Sequence, residues 1–503
     1  MKKNYIATSL FLMALLFSCK KSKEMQPVNQ APEAVLKVES SAGKLWNRVK
    51  IVVDASDPNG KIQSVELFAN NKPVGHVTNA PYEFLWDTRD FEDGEVTLKA
   101  VVTDDMEETS TPEKKVEVIN TLIDYDLHEK FLTMSPNFKY FTFITGKKGE
   151  LLFFEQIESL PYKKTVRRPE EFDDGKFELH FAYANPGTGS IITISDITPG
   201  EFAPLDDDKR GQKIGTAQMK FKDIPEHNYY TYENYTGKSL SNLFAYNTGI
   251  YENLNLAYLY LRNDKKGLYK VIENLTEGGM ETSLSTTGFE MEMHELTINH
   301  KLNGVTFNVF GHTGPGPDAP SVKVFSHHGQ VMPSYHVLYH LPHKSPAFDH
   351  FSSVISFDKD GRIHSMESYS DPITKPLMQE LGAQLSSQKL SEIDIVISGK
   401  DPFDMVFSNY YLTNNGFNFS WRCYSPRGDI RFPAIPPQLT QAFAKFSNAN
   451  LVFAEAGVNL TLQDYDHLDG YGDYLSAFTG RTGKTLKEGG QYAVSVMHQF
   501  PQP

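Results

Sequence analysis

Short runs in which apolar and polar residues alternate fill residues 33–120. In one run Val49, Ile51 and Val53 stand at every second position, and turn residues such as Asp57–Gly60 follow it. A period of two places the apolar side chains on one face of a β-strand, and Asp, Asn, Pro and Gly favour tight reversals. About seven such strands in one short stretch predict a two-sheet β-sandwich.

Three aromatic residues of this stretch share one strand face. Tyr82, Phe84 and Trp86 alternate with Glu83 and Leu85. Aromatic side chains bury large apolar areas, so we expect these three to fill the centre of the sandwich. They are predicted to be core residues and not an exposed platform for sugars.

The motifs of residues 33–120 resemble the bacterial immunoglobulin-like domain of secreted glycosidases and envelope proteins. The segments that carry the resemblance are Ala55–Gly60, Val65–Phe68, Val74–Gly75, Pro81–Trp86, Asp93–Gly94 and Val101–Asp104. The resemblance implies an immunoglobulin-like sandwich that acts as a spacer or a weak binding unit and carries no catalytic residues.

The chain begins with Lys2 and Lys3, followed by an apolar run over residues 5–17 and then Cys19. A transmembrane helix needs about 20 apolar residues, so the run is too short to span a bilayer and favours a secretion signal. A plain secretion signal with an incidental cysteine is the alternative interpretation.

Leu16-Phe17-Ser18-Cys19 resembles the lipobox of bacterial lipoproteins. The resemblance implies a signal peptide over residues 1–19, an acylated Cys19 and a membrane partner through the lipid anchor. Residues 20–32 are polar and predict a flexible tether. Lys20 stands where an Asp would favour the inner membrane, so the expected location is the outer membrane; display on the cell surface is left open.

Charge and cysteine content exclude two classes of protein. The formal net charge is −14 and the charges are dispersed, which argues against a nucleic-acid partner. The chain has two cysteines, and acylation of Cys19 would leave Cys423 without a partner, so disulfides do not stabilise the fold. Cys423 alternates in phase with Trp421 and is predicted to be a buried, inert thiol.

Strand patterns continue after residue 120 and predict a mainly β protein with further sandwich-type domains and few helices. Three hairpins turn at charged Gly-containing tips, over residues 140–155, 256–273 and 354–367. The predicted domains are one or two β domains over 121–300 and a C-terminal β-rich domain over 301–503. The Gly- and Pro-rich Gly311–Pro320 segment suggests the boundary near residue 300.

Two further expectations concern this region. The first hairpin, together with Phe177–Tyr183, Ile191–Ile194 and Thr198–Glu201, resembles the transthyretin-like accessory sandwiches of envelope proteins. Helices are predicted over Thr374–Gln388 and over residues 437–446, the latter started by Pro436 and Pro437.

Tyrosine and asparagine cluster in the segments 228–235 and 409–415. A sugar ring stacks its C–H face on an aromatic ring while amides meet its hydroxyls, so such clusters are typical of sugar sites. Tyrosine also suits any β-strand, which is the alternative interpretation. The candidate ligand-binding residues are Tyr229, Tyr230, Tyr232, Tyr235, Tyr410 and Tyr411.

Metal and catalytic motifs are weak. Asp54, Asp57, Asn59 and Asp104 could gather around calcium, but turn-forming residues explain them equally well, so no cofactor is predicted and calcium is left open. Nine histidines crowd residues 294–350 without a zinc motif, and no metal ligand is assigned. A G-x-S-x-G elbow is absent, and no catalytic residue is assigned.

The sequence therefore predicts a lipid-anchored, non-catalytic protein of the cell envelope that binds an extracellular polysaccharide or another macromolecule through its C-terminal β domains. One alternative is a surface-anchored hydrolase, a glycosidase or peptidase, whose active site would show paired carboxylates of split pKa within residues 301–503. A second is a structural or adhesion component of an outer-membrane complex, docked to an envelope protein.

Overall fold

The fold is taken from a computed structural model of the chain. It describes residues 28–39, 44–170, 172, 175–205, 209–263, 266–285, 291–342, 346–369, 371–414, 417–426, 432–442, 455–481, 484–488 and 492–501. The predicted signal peptide with Cys19 and most of the predicted tether lie outside these residues. Among the helices that the structure describes, none is long and apolar enough to cross a membrane. The chain forms two compact units, residues 1–120 and 121–503.

The first unit is a two-sheet sandwich. One sheet has the strand order β1-β3-β6 and the other has the order β2-β9-β7-β4-β5, with β8 paired to β7. The strands are β1 Glu33–Glu39, β2 Lys44–Leu45, β3 Arg48–Ser56, β4 Ile62–Ala69, β5 Lys72–Val77, β6 Glu83–Asp87, β7 Gly94–Asp104, β8 Thr109–Ser110 and β9 Glu113–Val118; a 3-10 turn covers Thr88–Asp90.

Alternation along the strands builds the core of this unit. Ile51 and Leu98 are completely buried, and Trp86 is 1% exposed. The Trp86 ring meets the edge of Phe91 with 5.4 Å between ring centroids. Phe84 is also buried and Tyr82 packs against the same cluster, so the core role predicted for these aromatics is confirmed.

The second unit begins with a seven-stranded module, called here the first module. Its two sheets have the orders β13-β10-β16 and β12-β11-β14-β15. Its strands are β10 Thr121–Leu127, β11 Lys139–Thr145, β12 Leu151–Ile157, β13 Tyr162–Arg167, β14 Phe177–Asn185, β15 Thr188–Ile197 and β16 Gly200–Phe202.

The next seven strands, called the second module, repeat this order as β20-β17-β23 and β19-β18-β21-β22. In both modules the first strand pairs antiparallel with the fourth and parallel with the seventh. The sequence did not suggest this repeat. The strands are β17 Lys213–Lys222, β18 Tyr229–Tyr232, β19 Tyr235–Gly237, β20 Tyr246–Tyr251, β21 Leu256–Arg262, β22 Gly267–Glu273 and β23 Gly278–Ser283.

The remaining elements supply eight adjacent antiparallel strands in the order β33-β32-β34-β35-β29-β28-β25-β26. The elements are β24 Met291–Ile298, β25 Gly304–His312, β26 Ser321–Gly329, β27 Tyr335–Pro342, β28 His350–Lys359, β29 Arg362–Ser368, β30 Gly382–Ser387, a 3-10 turn Leu390–Glu392, β31 Asp394–Ser398, β32 Met405–Asn414, β33 Phe417–Ser425, α1 Pro437–Ala442, β34 Gly457–Tyr465, α2 Tyr471–Phe478 and β35 Tyr492–Phe500.

These eight strands form two halves of matching order, β26-β25-β28-β29 and β33-β32-β34-β35, joined between β29 and β35. The β24–β27 pair packs over the first half, and the β30–β31 pair with α1 packs over the second. At the far edge β33 pairs in parallel with β15, which extends the sheet to twelve strands. Strands from both sides of residue 300 thus share one sheet.

The mainly β architecture with few helices is confirmed, and the three predicted hairpins are β11–β12, β21–β22 and β28–β29. The helix predicted over Thr374–Gln388 is wrong. Ala383 and Leu385 pack against the core while Gln384 is exposed, which is the period of a strand, β30. The predicted helix at 437–446 is present as α1, and residues 443–446 lie outside the described residues.

Candidate functional site

A cavity of about 630 Å³ lies in the second unit, between the second module and the loop that joins β25 to β26. Its lining includes Tyr235 at the start of β19 and Tyr251 at the end of β20, and also Pro317–Pro320 of the β25–β26 loop. The volume falls in the range of about 300–1,000 Å³ that is usual for small-molecule sites.

The two tyrosines offer aromatic surface to this cavity. Tyr235 is 38% exposed and rests on the edge of Tyr246, with 5.1 Å between ring centroids. The Arg210 guanidinium lies 4.9 Å from the centre of the Tyr251 ring. A Cβ atom at Gly249 would stand 2.7 Å from the Tyr251 ring, so glycine is needed there for the ring to occupy its position.

The turn between β18 and β19 brings a carboxylate and an amide to the cavity. Glu233 has a φ of 52°, which is unusual for a residue other than glycine. Its burial raises the pKa of the carboxyl, while the nearby Lys323 and Arg210 act in the opposite direction. The Lys323 ammonium donates a hydrogen bond of 3.4 Å to Oδ1 of Asn234. Backbone strain of this kind is often found at binding sites.

The cavity is rich in cationic side chains. Acidic side chains in the lining come from Glu233 and Asp318 alone among the described residues. Lys213, Lys323 and Lys487 form no ion pair with any residue that the structure describes. The five basic residues of the lining are Lys209, Arg210, Lys213, Lys323 and Lys487.

The buried His312 forms a hydrogen bond to the β25–β26 loop. The Nδ1 atom of His312 lies 2.9 Å from the carbonyl oxygen of Ala319, and Nε2 lies 2.8 Å from Oγ of Ser352. Because a carbonyl only accepts, Nδ1 carries the proton and Nε2 accepts from the serine hydroxyl. Burial lowers the pKa of His312 to about 4, so the ring is neutral. The ring also stacks on His350 at 4.3 Å.

The structure corrects the exposure expected for most of the candidate tyrosines. Tyr232 and Tyr410 are completely buried and Tyr230 is 8% exposed. Tyr229 is half-buried and its hydroxyl donates to the carbonyl oxygen of Ser326. Tyr230 and Tyr232 pack in the core of the second module, and Tyr410 packs in the core that β30, β31 and α1 help to form.

Tyr235 and Tyr411 are the remaining candidates. Tyr235 lines the cavity, whereas Tyr411 is half-buried on β32 beside Gly457 and is not part of the cavity lining. The two tyrosine clusters are therefore not brought together.

The residues considered as calcium ligands make hydrogen bonds or ion pairs within the described part of the chain. Oδ1 of Asp57 accepts hydrogen bonds from the backbone of Asn59 and Gly60, and Oδ1 of Asp104 accepts from Met106. Asp54 pairs with Lys37. Within the described residues no group of three His, Cys, Asp or Glu side chains is placed to hold a metal ion.

A second, smaller cavity of about 350 Å³ lies beside the first module and contains two carboxylates, Glu178 and Asp196. Burial raises the pKa of Glu178 to about 7. Burial would also raise the pKa of Asp196, but ion pairs with Lys176 at 2.8 Å and Lys147 at 3.3 Å lower it. Asp196 has a φ of 59° at a β-bulge opposite Glu178.

Sequence reasoning missed the cationic cavity. Its basic residues come from three separate stretches, 209–213, 323 and 487, and no local motif links them. Single lysines on polar segments carry no signal in a sequence, because most of them belong to solvated surfaces.

Comparison with known proteins identifies one segment. The family model described as a bacterial Ig domain matches residues 37–100, which confirms the resemblance of that segment. No curated protein matches the chain. Among solved structures, the fibronectin(III)-like modules of Clostridium thermocellum CbhA match at 24% identity, over 17% of this chain and 93% of that chain, with a TM-score of 0.14.

Two other solved structures match longer stretches. A structure of carbohydrate-binding modules from the β-sandwich superfamily matches at 12% identity, over 64% of this chain and 89% of that chain, with a TM-score of 0.18. The second is SGBP-B of the Bacteroides ovatus mixed-linkage glucan utilization locus, in complex with a mixed-linkage heptasaccharide. It matches at 10% identity, over 65% of this chain and 96% of that chain, with a TM-score of 0.16. TM-scores this low assign no function to this chain.

Proposed function

We propose that this protein is a lipid-anchored component of the cell envelope that binds an extracellular polysaccharide in the cavity lined by Tyr235 and Tyr251. The observation that supports the proposal most directly is the combination of aromatic surface and amide groups around one cavity. Asn234 and Asn247 lie in the same lining as the two tyrosines.

The chemistry of these groups suits a sugar ring. The C–H face of a sugar packs on an aromatic ring, and the amides of Asn234 and Asn247 can donate to and accept from hydroxyl groups at the same time. The cavity holds one part of a chain while the rest extends into solvent, which is how a binding site accommodates a polymer. No chemical step is needed for this function.

The anchor is part of the proposal. Acylation at Cys19 would hold the protein on the outer membrane through its lipid, with residues 20–32 as tether and the immunoglobulin-like domain as spacer. Metabolic labelling with a fatty-acid analogue tests this part. We expect label and membrane association in the wild type and loss of both in Cys19→Ala; label retained in that variant would contradict acylation at Cys19.

Binding is tested with the full chain carrying Cys19→Ala, so that it can be studied without detergent. A panel of soluble polysaccharides is titrated by calorimetry, and the samples are then analysed by chromatography for products. We expect Tyr235→Ala to weaken binding about tenfold, equivalent to ~1.4 kcal/mol. Tyr411→Ala is the matched control, because Tyr411 lies outside the cavity lining. Equal affinity in both variants would overturn the assignment of this cavity.

A hydrolase is the second candidate function, and the Glu178–Asp196 pair favours it. A protonated acid beside an ionised carboxylate is the arrangement that glycoside hydrolysis uses. This pair lies in the first module, outside the 301–503 region where the sequence suggested an active site. Products that form with the wild type but not with Glu178→Gln would support hydrolysis in place of simple binding.

A further inference from the structure

We infer that the cavity of the second module selects an anionic polysaccharide, one whose carboxylate or sulfate groups are met by Lys213, Lys323 and Lys487. This inference rests on the proposed function, because it names the class of polymer for the same site. It is supported by the basic side chains that the fold brings to the cavity from three separate stretches, 209–213, 323 and 487.

The sign of the cavity is opposite to that of the protein. The chain has a formal net charge of −14, yet five basic and two acidic side chains line the cavity. A concave surface with an excess of positive charge raises the local concentration of anionic ligands and speeds their association. A neutral sugar would gain nothing from this concentration of positive charge.

The lysines are available to a ligand. Lys213 is exposed at the start of β17, and Lys323 and Lys487 are half-buried. None of these three forms an ion pair within the described part of the chain. Lys323 also donates a hydrogen bond of 3.4 Å to Oδ1 of Asn234, but none of the three lysines has to break an ion pair before it binds an anion.

The aromatic and cationic groups lie next to each other. The Arg210 guanidinium lies over one face of the Tyr251 ring, 4.9 Å from its centre, which places a planar array of donors in the same lining as the Tyr235 ring. A guanidinium matches the geometry of carboxylate and sulfate groups through paired N–H donors. A sugar that carries such a group next to its C–H face could therefore use both contacts together.

The two acidic groups do not cancel this preference. Five basic and two acidic side chains leave the lining with more positive than negative charges even when both carboxyl groups are ionised. Burial raises the pKa of Glu233, while the charges of Lys323 and Arg210 act in the opposite direction. A half-buried carboxyl group of this kind is suited to hydrogen bonding with sugar hydroxyls. Asp318 lies on the β25–β26 loop.

The test uses the full chain with Cys19→Ala and four probes: polygalacturonate for carboxylates, chondroitin sulfate for sulfates, a neutral β-glucan, and poly-glutamate as an anionic polymer without sugar. Affinities are measured by calorimetry at low and high ionic strength. Lys213→Gln, Lys323→Gln and Lys487→Gln are compared with Lys220→Gln, a control on the same strand as Lys213 that is exposed outside the cavity lining.

We expect at least one anionic polysaccharide to bind more tightly than the neutral glucan, with an affinity that falls as ionic strength rises. Each of the three cavity lysine variants should weaken that binding roughly two- to fivefold and reduce its dependence on salt, while Lys220→Gln should leave both unchanged. Which of the two anionic probes binds identifies the anionic group.

Three results would overturn the inference. Tight binding of the neutral glucan without any effect of the lysine variants would refute charge selection but leave the proposed function intact. Equal binding of poly-glutamate would show that the cavity recognises charge without sugar. Absence of binding to every polysaccharide would overturn both the inference and the proposed function.

Discussion

The indole N–H of Trp421 donates a hydrogen bond of 2.8 Å to Oγ1 of Thr193, a residue 228 positions earlier in the chain. The Thr193 hydroxyl also lies 2.9 Å from Nδ1 of His180, whose Nε2 atom is 2.9 Å from Oγ1 of Thr145. Four buried polar side chains thus cross β33, β15, β14 and β11. This network lies where the first module joins the eight antiparallel strands, and each of its members depends on the others for a partner.

Replacement of Thr193 by Val should destabilise the second unit by about 1–3 kcal/mol. The change leaves the buried indole N–H of Trp421 and the Nδ1 atom of His180 without a hydrogen-bond partner. Urea unfolding followed by tryptophan fluorescence measures the change. Thr188→Val on the same strand is the control, since the Thr188 side chain is half-buried and makes no hydrogen bond in the described structure. An unchanged midpoint for Thr193→Val would contradict the network.

Glu178→Gln should alter how stability depends on pH. Burial raises the pKa of Glu178 from 4.5 to about 7, so the folded state holds this proton more tightly than the unfolded state does. The protonated group stabilises the wild type below about pH 4.5, and this contribution is lost as the pH rises through about 7. The Tm of Glu178→Gln relative to the wild type should therefore be higher at about pH 8 than at about pH 4. Parallel pH profiles would be the contrary result.

His312 predicts a pH effect of the opposite direction. Burial lowers the pKa of His312 from 6.5 to about 4 in the folded state. As the pH falls, the unfolded state therefore binds a proton at a higher pH than the folded state does. Stability should therefore decrease from about pH 6.5 towards about pH 4. His350 and Lys487 face the ring and oppose its protonation further.

The comparison of wild type with His312→Asn isolates this contribution. The variant should lose less Tm than the wild type between about pH 7.5 and about pH 4.5. His300→Asn serves as the control, because His300 is exposed. The same loss of Tm in the wild type and in His312→Asn would show that His312 contributes nothing to the pH dependence.

Cys423 should be inert in the folded protein. Its thiol is fully buried, and burial raises its pKa. In the chain with Cys19→Ala, a thiol reagent should modify Cys423 only after a denaturant is added, because the thiolate is the reactive form. Modification at comparable rates with and without denaturant would contradict the buried position.

The first unit could be predicted well from the sequence because its strands are joined by short turns and its core follows a period of two. The same reasoning found three hairpins of the second unit, where β-strand, turn and β-strand are consecutive. It did not find the repeat of the two modules. The modules share the order of their strands in the sheets, and the alternation of residues within one strand does not show which strands pair.

The candidate site was predicted only in part. Tyr235 was included among the candidates, but Tyr251, Arg210 and Lys487 were not. These residues contribute to one cavity because β20, the segment before β17 and the segment before β35 meet in three dimensions. The pattern of neighbouring residues does not show which distant segments of the chain lie together in the fold.

The sequence by itself determined that this chain is mainly β, that it contains an immunoglobulin-like sandwich and that Cys423 is buried with Trp421. A period of two assigns each side chain to one face of a strand. It does not say whether another sheet covers that face. Only the tertiary structure decided that Tyr232 and Tyr410 are core residues while Tyr235 lines a cavity, because exposure depends on how sheets pack against each other and not on the order of residues within one strand.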